Sequence, residues 1–168
     1  MTRNETVYAD ELSYWKTSTT SPDNWISKTK RIIEDNGGSV VSDLQGTING
    51  RTAFMINFVF NGESYRITFP TMPTRKPADQ PAAKIQAATL IYHEVKSRIM
   101  ASLVLGKRVA FFQYYVLPSG KTPAEGMDIN ETMQVISGLQ LASGNEDDVI
   151  IGVGEESQII DLDHLSLK

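Results

Sequence analysis

The side chains able to do acid–base, nucleophilic or metal chemistry are few in this chain, and their spacing assembles no reaction centre. The only imidazoles are His93 and His164, and neither has a partner at motif spacing. His93 is followed by Glu94, but a zinc-protease helix needs a second histidine about one turn further on the same face, and Ser97 stands there. Glu94-Val95-Lys96 echoes the acidic-x-Lys end of a metal-dependent nuclease motif. That pair works on a strand, whereas here it falls inside a helical pattern, where residues two apart face different ways. Gly152-Val153-Gly154 lacks the third glycine and the following helix of a dinucleotide site, and no Gly-Lys-Ser/Thr phosphate loop or Gly-x-Ser-x-Gly elbow occurs. Asp161 and Asp163 are two oxygen donors that read as solvated carboxylates rather than a cation site. The chain therefore reads as a binding protein needing no cofactor and no metal. An enzyme using carboxylates that only the fold would gather is a third reading.

Charge is the stronger signal. The formal net charge of −4 hides a basic centre and an acidic end. Residues 75–121 carry a net +6, and residues 122–168 a net −9. Arg75, Lys76, Lys84, Lys107 and Arg108 bracket one long helical pattern, and such cations attract phosphate. They are the candidate nucleic-acid-binding residues. The acidic end supports a different reading, in which ten Asp and Glu residues after Lys121, with Glu146, Asp147 and Asp148 among them, meet a basic groove on a protein partner.

These residues must be positioned by the elements around them. Phe54, Ile56, Phe58 and Phe60 alternate with Ala53, Met55, Asn57 and Val59, a period of two that marks a strand. Asn49-Gly50 precedes this run and Asn61-Gly62 follows it, and Asn-Gly is the pair that best holds the positive φ angles of a two-residue hairpin turn. A three-stranded antiparallel meander follows: 39–48, 51–60 and 63–69. Trp25, Ile26, Ile32 and Ile33 recur at helical spacing after Ser21-Pro22-Asp23, and Asn36-Gly37-Gly38 ends that helix at about 23–35. Pro70, Pro73, Pro77 and Pro81 mark a loop. A longer helix over 82–105 then carries Ile85, Ala88, Tyr92, Val95, Ile99 and Leu103 in one stripe, broadened by Leu90, Ile91 and Met100, with Gly106 as its stop. The aromatic run 109–117 reads as a fourth strand. Tyr65, Tyr92, Phe111, Phe112, Tyr114 and Tyr115 read as core rather than as platforms for stacked bases.

The expected fold is thus α+β, in the order α-β-β-β-α-β, a three- to four-stranded antiparallel meander covered on one face by two helices. An N-terminal arm, 1–21, docks by Tyr8, Leu12, Tyr14 and Trp15. The core spans 22–121, and an acidic extension spans 122–168, with a short helix expected at 130–141 and short strands at 149–153 and 157–160. Cysteine is absent, which excludes disulfides and thiolate chemistry and fits a reducing cytoplasm. The polar, acidic first twenty residues do not read as a secretory leader, and no apolar run approaches the length of about eighteen residues that a membrane span requires. The expected setting is cytoplasmic, with no membrane partner.

The order helix, three antiparallel strands, helix resembles the double-stranded RNA-binding domain. Members of that family open the second helix with a Lys-Lys-x-Ala-Lys phosphate clamp and an alanine-rich first turn. Arg75-Lys76 and Ala82-Ala83-Lys84-Ile85-Gln86-Ala87-Ala88 stand in similar places, with Pro77, Asp79 and Pro81 interrupting the clamp. The first hairpin loop lacks the family's Gly-Pro-x-His element. The resemblance covers about half the chain and implies phosphate contact at the start of the second helix. A second resemblance is to small uncharacterised proteins of phage and mobile elements. It rests on Tyr65-Arg66-Ile67-Thr68-Phe69-Pro70, the segment from Gln86 to Lys96, Leu105-Gly106-Lys107-Arg108-Val109-Ala110-Phe111-Phe112 and Leu117-Pro118-Ser119-Gly120-Lys121-Thr122. It implies a phage origin and hence a host-cell cytoplasmic setting, in which an acidic module would inhibit a host defence or replication protein.

Overall fold

The computed structural model describes residues 6–12 and 14–126. The elements expected at 130–141, 149–153 and 157–160 lie outside them, as do His164, Asp161, Asp163 and the Gly152 to Gly154 run.

The first helix, α1 (Pro22–Asp35), starts where the Ser21 hydroxyl accepts a hydrogen bond from the Asn24 amide at 3.3 Å, with proline at the first helical position. It ends at Asn36 because Gly37 takes φ +83°, a left-handed conformation that glycine adopts without steric cost. Three strands follow: β1 (Gly38–Ile48), β2 (Arg51–Phe60) and β3 (Glu63–Pro70), all antiparallel in the order β1-β2-β3. Both Asn-Gly corners hold positive φ at each central residue, with Asn49 at +49° and Gly50 at +75°, and Asn61 at +51° and Gly62 at +79°. That is the turn geometry whose twist matches paired strands, so the register is fixed from both ends of β2. β1 carries one irregularity, between Val40 and Ser42.

The long helix α2 (Gln80–Leu105) and α1 cover one face of this sheet. The shared core joins Phe54, Ile56, Phe58, Tyr65 and Ile67 to Ala87, Ala88, Ile91, Val95 and Ile99 of α2 and to Ile26 and Ile33 of α1. The alternation in β2 thus does what its period demands, with Phe54, Ile56, Phe58 and Phe60 each at most 4% exposed. Phe58 stacks on Tyr65 at 5.6 Å, and Phe111 meets Phe58, Phe60 and Tyr65 at 5.4–6.0 Å.

Two expectations are corrected. Residues 109–117 do not form a strand. After Gly106, at φ +82°, the chain makes a short helix α3 (Lys107–Ala110) and a 3-10 turn, Phe112–Tyr114, touching β3 only through a single bridge from Tyr115 to Tyr65. Phe111, Tyr114 and Leu117 are buried, and their spacing of three is helical. The α2 stripe is also rotated from the expected one. Val95, Ile99 and Ala88 are buried as expected, but Leu103 is 66% and Met100 60% exposed, while Gln86 and Thr89 face inward.

The arm explains the burial of Gln86. Its 3-10 turn, Ala9–Glu11, lies against the start of α2: the Ala9 amide donates to the Pro73 carbonyl at 2.9 Å, and Gln86 Nε2 donates to the Ala9 carbonyl at 2.9 Å. Ala9 is fully buried, and Tyr14 stacks on His93 with ring centroids 5.1 Å apart. At the other end, Thr122 is fully buried and the Ala124 amide donates to the Gln113 carbonyl at 2.9 Å. Among the described residues no helix is long and apolar enough to cross a membrane.

Candidate nucleic-acid interface

The five cations singled out from the sequence fall at the two ends of α2. That helix has 26 residues, so at about 1.5 Å per residue its ends stand roughly 40 Å apart. Arg75, Lys76 and Lys84 lie at its start, and Lys107 and Arg108 just beyond its end. One patch cannot hold all five.

The far-end pair is engaged in holding the fold. Lys107 Nζ donates to the Ser102 hydroxyl at 2.9 Å and sits 4.9 Å from the centre of the Phe60 ring; burial lowers its pKa. Arg108 is bonded to Glu63 and lies beside the Tyr115 ring. At the near end Arg75 is bonded to both Asp10 and Glu11 of the arm and rests on the Tyr8 ring, its guanidinium 4.6 Å from the ring centre. Two acidic groups thus offset its charge. Lys76 is exposed and Lys84 half-buried, and neither makes an ion pair among the described residues.

Lys84 opens onto a small polar recess formed where the β1–β2 turn meets the start of α2. Gly50, Arg51 and Thr52 line one side, Thr71 to Thr74 the floor, and Gln80, Ala83 and Lys84 the other. No lining residue is acidic. Arg51, which the sequence reading passed over because it lies outside the basic segment, donates from Nη1 to the Thr71 carbonyl at 3.2 Å and so is held toward this recess. The start of α2 adds further positive potential. Asp79, at the N-cap, makes no side-chain cap bond to the helix; its carboxylate instead pairs with Lys16 Nζ at 2.9 Å. The Gln80 amide is taken by the Pro77 carbonyl and Pro81 has no N–H, so what the start of α2 offers is the positive end of the helix dipole rather than free amides.

No protein-family model, curated protein or solved structure matches this chain.

The residues weighed for catalysis are placed differently. His93 is exposed, stacked on Tyr14 and tilted against Trp25 at 6.2 Å. Glu94 accepts from Arg98 Nε at 2.8 Å, Gln113 Nε2 at 3.0 Å and the Tyr114 hydroxyl at 2.9 Å, a set that ties α2 to the turn after α3, while Lys96 is exposed on another side. Burial, reinforced by the Glu94 carboxylate, raises the pKa of Tyr114, so that it remains a hydroxyl donor. Among the described residues no three metal-binding side chains cluster. A second recess, between α1 and the β1–β2 pair, has Ile26, Phe54 and Ile56 in its lining but carries Asp23 and Asp43 as well, a lining that repels phosphate.

Proposed function

We propose that this protein binds nucleic acid through the sugar-phosphate backbone, at the end of the molecule where the β1–β2 turn meets the start of α2. Arg51, Lys76 and Lys84 are the contacting cations, and the positive end of the α2 dipole adds to their attraction for a phosphate oxygen. The observation that carries this reading is the recess in which Arg51 and Lys84 converge with no acidic neighbour in the lining, in a chain where Arg66, Arg75, Arg98 and Arg108 are each paired with a carboxylate. Contacts of this kind read backbone rather than sequence, so the complex is expected to be weakly sequence-selective and strongly dependent on salt.

Titrating the full chain with fluorescent single-stranded and duplex DNA and RNA at several salt concentrations tests this. Binding is expected to weaken linearly in logarithmic terms with salt. Arg51→Gln with Lys84→Gln should flatten that slope by roughly one per phosphate contact removed, whereas Lys96→Gln, on the exposed side of α2, should leave it unchanged. Absence of any complex at low salt, or equal effects from all three substitutions, would overturn the reading.

A further inference from the structure

Among the described residues no helix covers the second face of the sheet. Residues that pair across neighbouring strands share a face, and the helices cover the Phe54, Ile56, Phe58 and Phe60 side. The outer side therefore presents Met55 between Leu44 and Thr68, Asn57 between Ser42 and Arg66, and Val59 beside Ser64. An antiparallel sheet with one solvated face alternates apolar-in and polar-out. This one departs from that rule: Leu44 is 58% exposed on the outer side, Ile48 is also exposed there, and Met55 and Val59 are half-buried beside them.

The chain itself arrives on this face. After the 3-10 turn it passes the β3 edge, where the Val116 amide donates to the Ser64 carbonyl at 2.9 Å, and it then crosses to the outer side. There Glu125 accepts from Arg66 and Thr68, both on the outer row of β3. The Glu125 amide in turn donates to the Thr122 hydroxyl at 3.3 Å, and the Ala124 amide to the Gln113 carbonyl at 2.9 Å, so this crossing is anchored at several points. Gly126 follows Glu125, whose partner Thr68 pairs across the strands with Met55 of the apolar strip. The next residues in sequence place Ile129, Met133 and Ile136 at helical spacing, with Val135 and Leu139 alongside. An apolar stripe of that kind needs an apolar surface to cover, and the exit point of the chain puts one within immediate reach.

We propose that residues 127–141 of this chain dock on the outer face of the sheet, over Leu44, Met55 and Val59, making the sheet the middle one of three layers. This does not depend on what the protein binds. Its occupant is the chain itself, because the connection at Gly126 is intramolecular and short, so docking costs little closure entropy compared with recruiting a separate molecule.

The chain has no cysteine, and its six methionines include Met55, Met100 and Met133, which makes a clean test possible in the full-length protein. A nitroxide is attached at Leu44→Cys, or at Ser64→Cys on the exposed outer row of β3 should the first variant not fold, and methionine methyl signals are recorded with 13C labelling. The Met55 signal should vanish in either variant and the Met100 signal, on the helical layer, should persist, which verifies the fold. The expected result is loss of the Met133 signal as well, with no such loss when nitroxide-bearing unlabelled protein is mixed with 13C protein carrying no nitroxide. Retention of Met133 in both variants would overturn the proposal. Loss of Met133 in the mixed sample would assign the face to a second copy and overturn it equally.

Discussion

The Arg66 guanidinium grips the Glu125 carboxylate from two sides, with Nε 2.7 Å from Oε1 and Nη2 2.5 Å from Oε2. A paired fork of this kind is the strongest geometry available to two such groups. It is extended by Nη2 donating to the Gly120 carbonyl at 2.6 Å and by the Thr122 amide donating to Glu125 at 3.1 Å. The pair closes the 116–126 segment onto β3, and it joins a strand of the meander to a stretch of chain that composition alone assigns to an acidic extension.

A pH dependence follows from that pair. The Arg66 hydrogen bonds lower the pKa of Glu125, outweighing the opposing effect of its partial burial. A depressed carboxylate stabilises the fold at every pH above its ordinary value, and that contribution is lost as pH falls through the lowered one. Glu125→Gln should therefore melt below the parent at neutral pH, with the gap narrowing as pH falls below about 4.5, the ordinary carboxylate value. Since a quarter of each side chain is exposed, the difference at neutral pH should be modest, about 1 kcal/mol or less. Melting curves of both proteins from neutral pH to pH 3 check it, and a gap that stays constant would mean the carboxylate is not engaged as described.

Gly38 is expected to be intolerant of any side chain, for a reason distinct from its neighbour's. Gly37 is needed for its positive φ, whereas a Cβ built at Gly38 would lie 2.5 Å from Ile33 Cγ2 and 2.6 Å from Phe60 Cε1. Both are fully packed core groups with no room to retreat. Gly38→Ala should cost about 1–3 kcal/mol, the usual penalty of overpacking, read as a lowered urea midpoint at unchanged slope. Gly46→Ala, where nothing lies within 4 Å, serves as the control and should stay close to the parent.

Where sequence reasoning succeeded, one physical rule dominated locally. The Asn-Gly corners and the phenylalanine alternation of β2 each permit one low-energy arrangement, and the strands, α1 and α2 all lie within a residue or two of their expected limits. The failures occur where the partner is distant in sequence. Aromatic content made 109–117 resemble a strand, although the spacing of Phe111, Tyr114 and Leu117 was the better guide. The stripe on α2 was drawn from its own periodicity, but the arm covers Gln86 through Ala9, so the buried face of the first half is widened by residues some 77 positions away. The candidate interface was half legible. Lys84 was found from the charge run; Arg51 was missed because only the fold carries the first hairpin turn to the start of α2.

Lys107 should be indifferent to nucleic acid and visible in alkaline stability. Its ammonium is partly desolvated over Phe60, which lowers its pKa in the folded chain. A lysine whose folded pKa is depressed loses its proton in the fold before it does in the unfolded chain, so stability rises with pH between the lowered value and the ordinary 10.5. Lys107→Met removes that rise. The melting temperature of the parent relative to the variant should increase as pH approaches 10.5 from below, while the salt slope of nucleic-acid binding stays the same in both. A flat difference across that range, or a changed salt slope, would place Lys107 in a different role.

The last expectation concerns the arm, which brings acidic groups to the same end of α2 as the proposed phosphate contacts. Asp10 and Glu11 both bond Arg75, one residue before Lys76, so in the folded chain they hold the place that a phosphate would take beside that guanidinium. Replacing them as Asp10→Asn with Glu11→Gln removes two negative charges and leaves the arm's backbone anchors, the Ala9 bonds to Pro73 and Gln86, intact. Nucleic-acid affinity should then increase, and the dependence on salt should steepen by about one further ion released as Arg75 joins the contact. Arg75→Gln in the same background should abolish that gain. Equal affinity and equal slope in the parent and the charge-neutralised arm, with melting temperatures matched, would show that Arg75 stays out of the interface whatever its partners are, leaving Arg51, Lys76 and Lys84 to carry the binding alone.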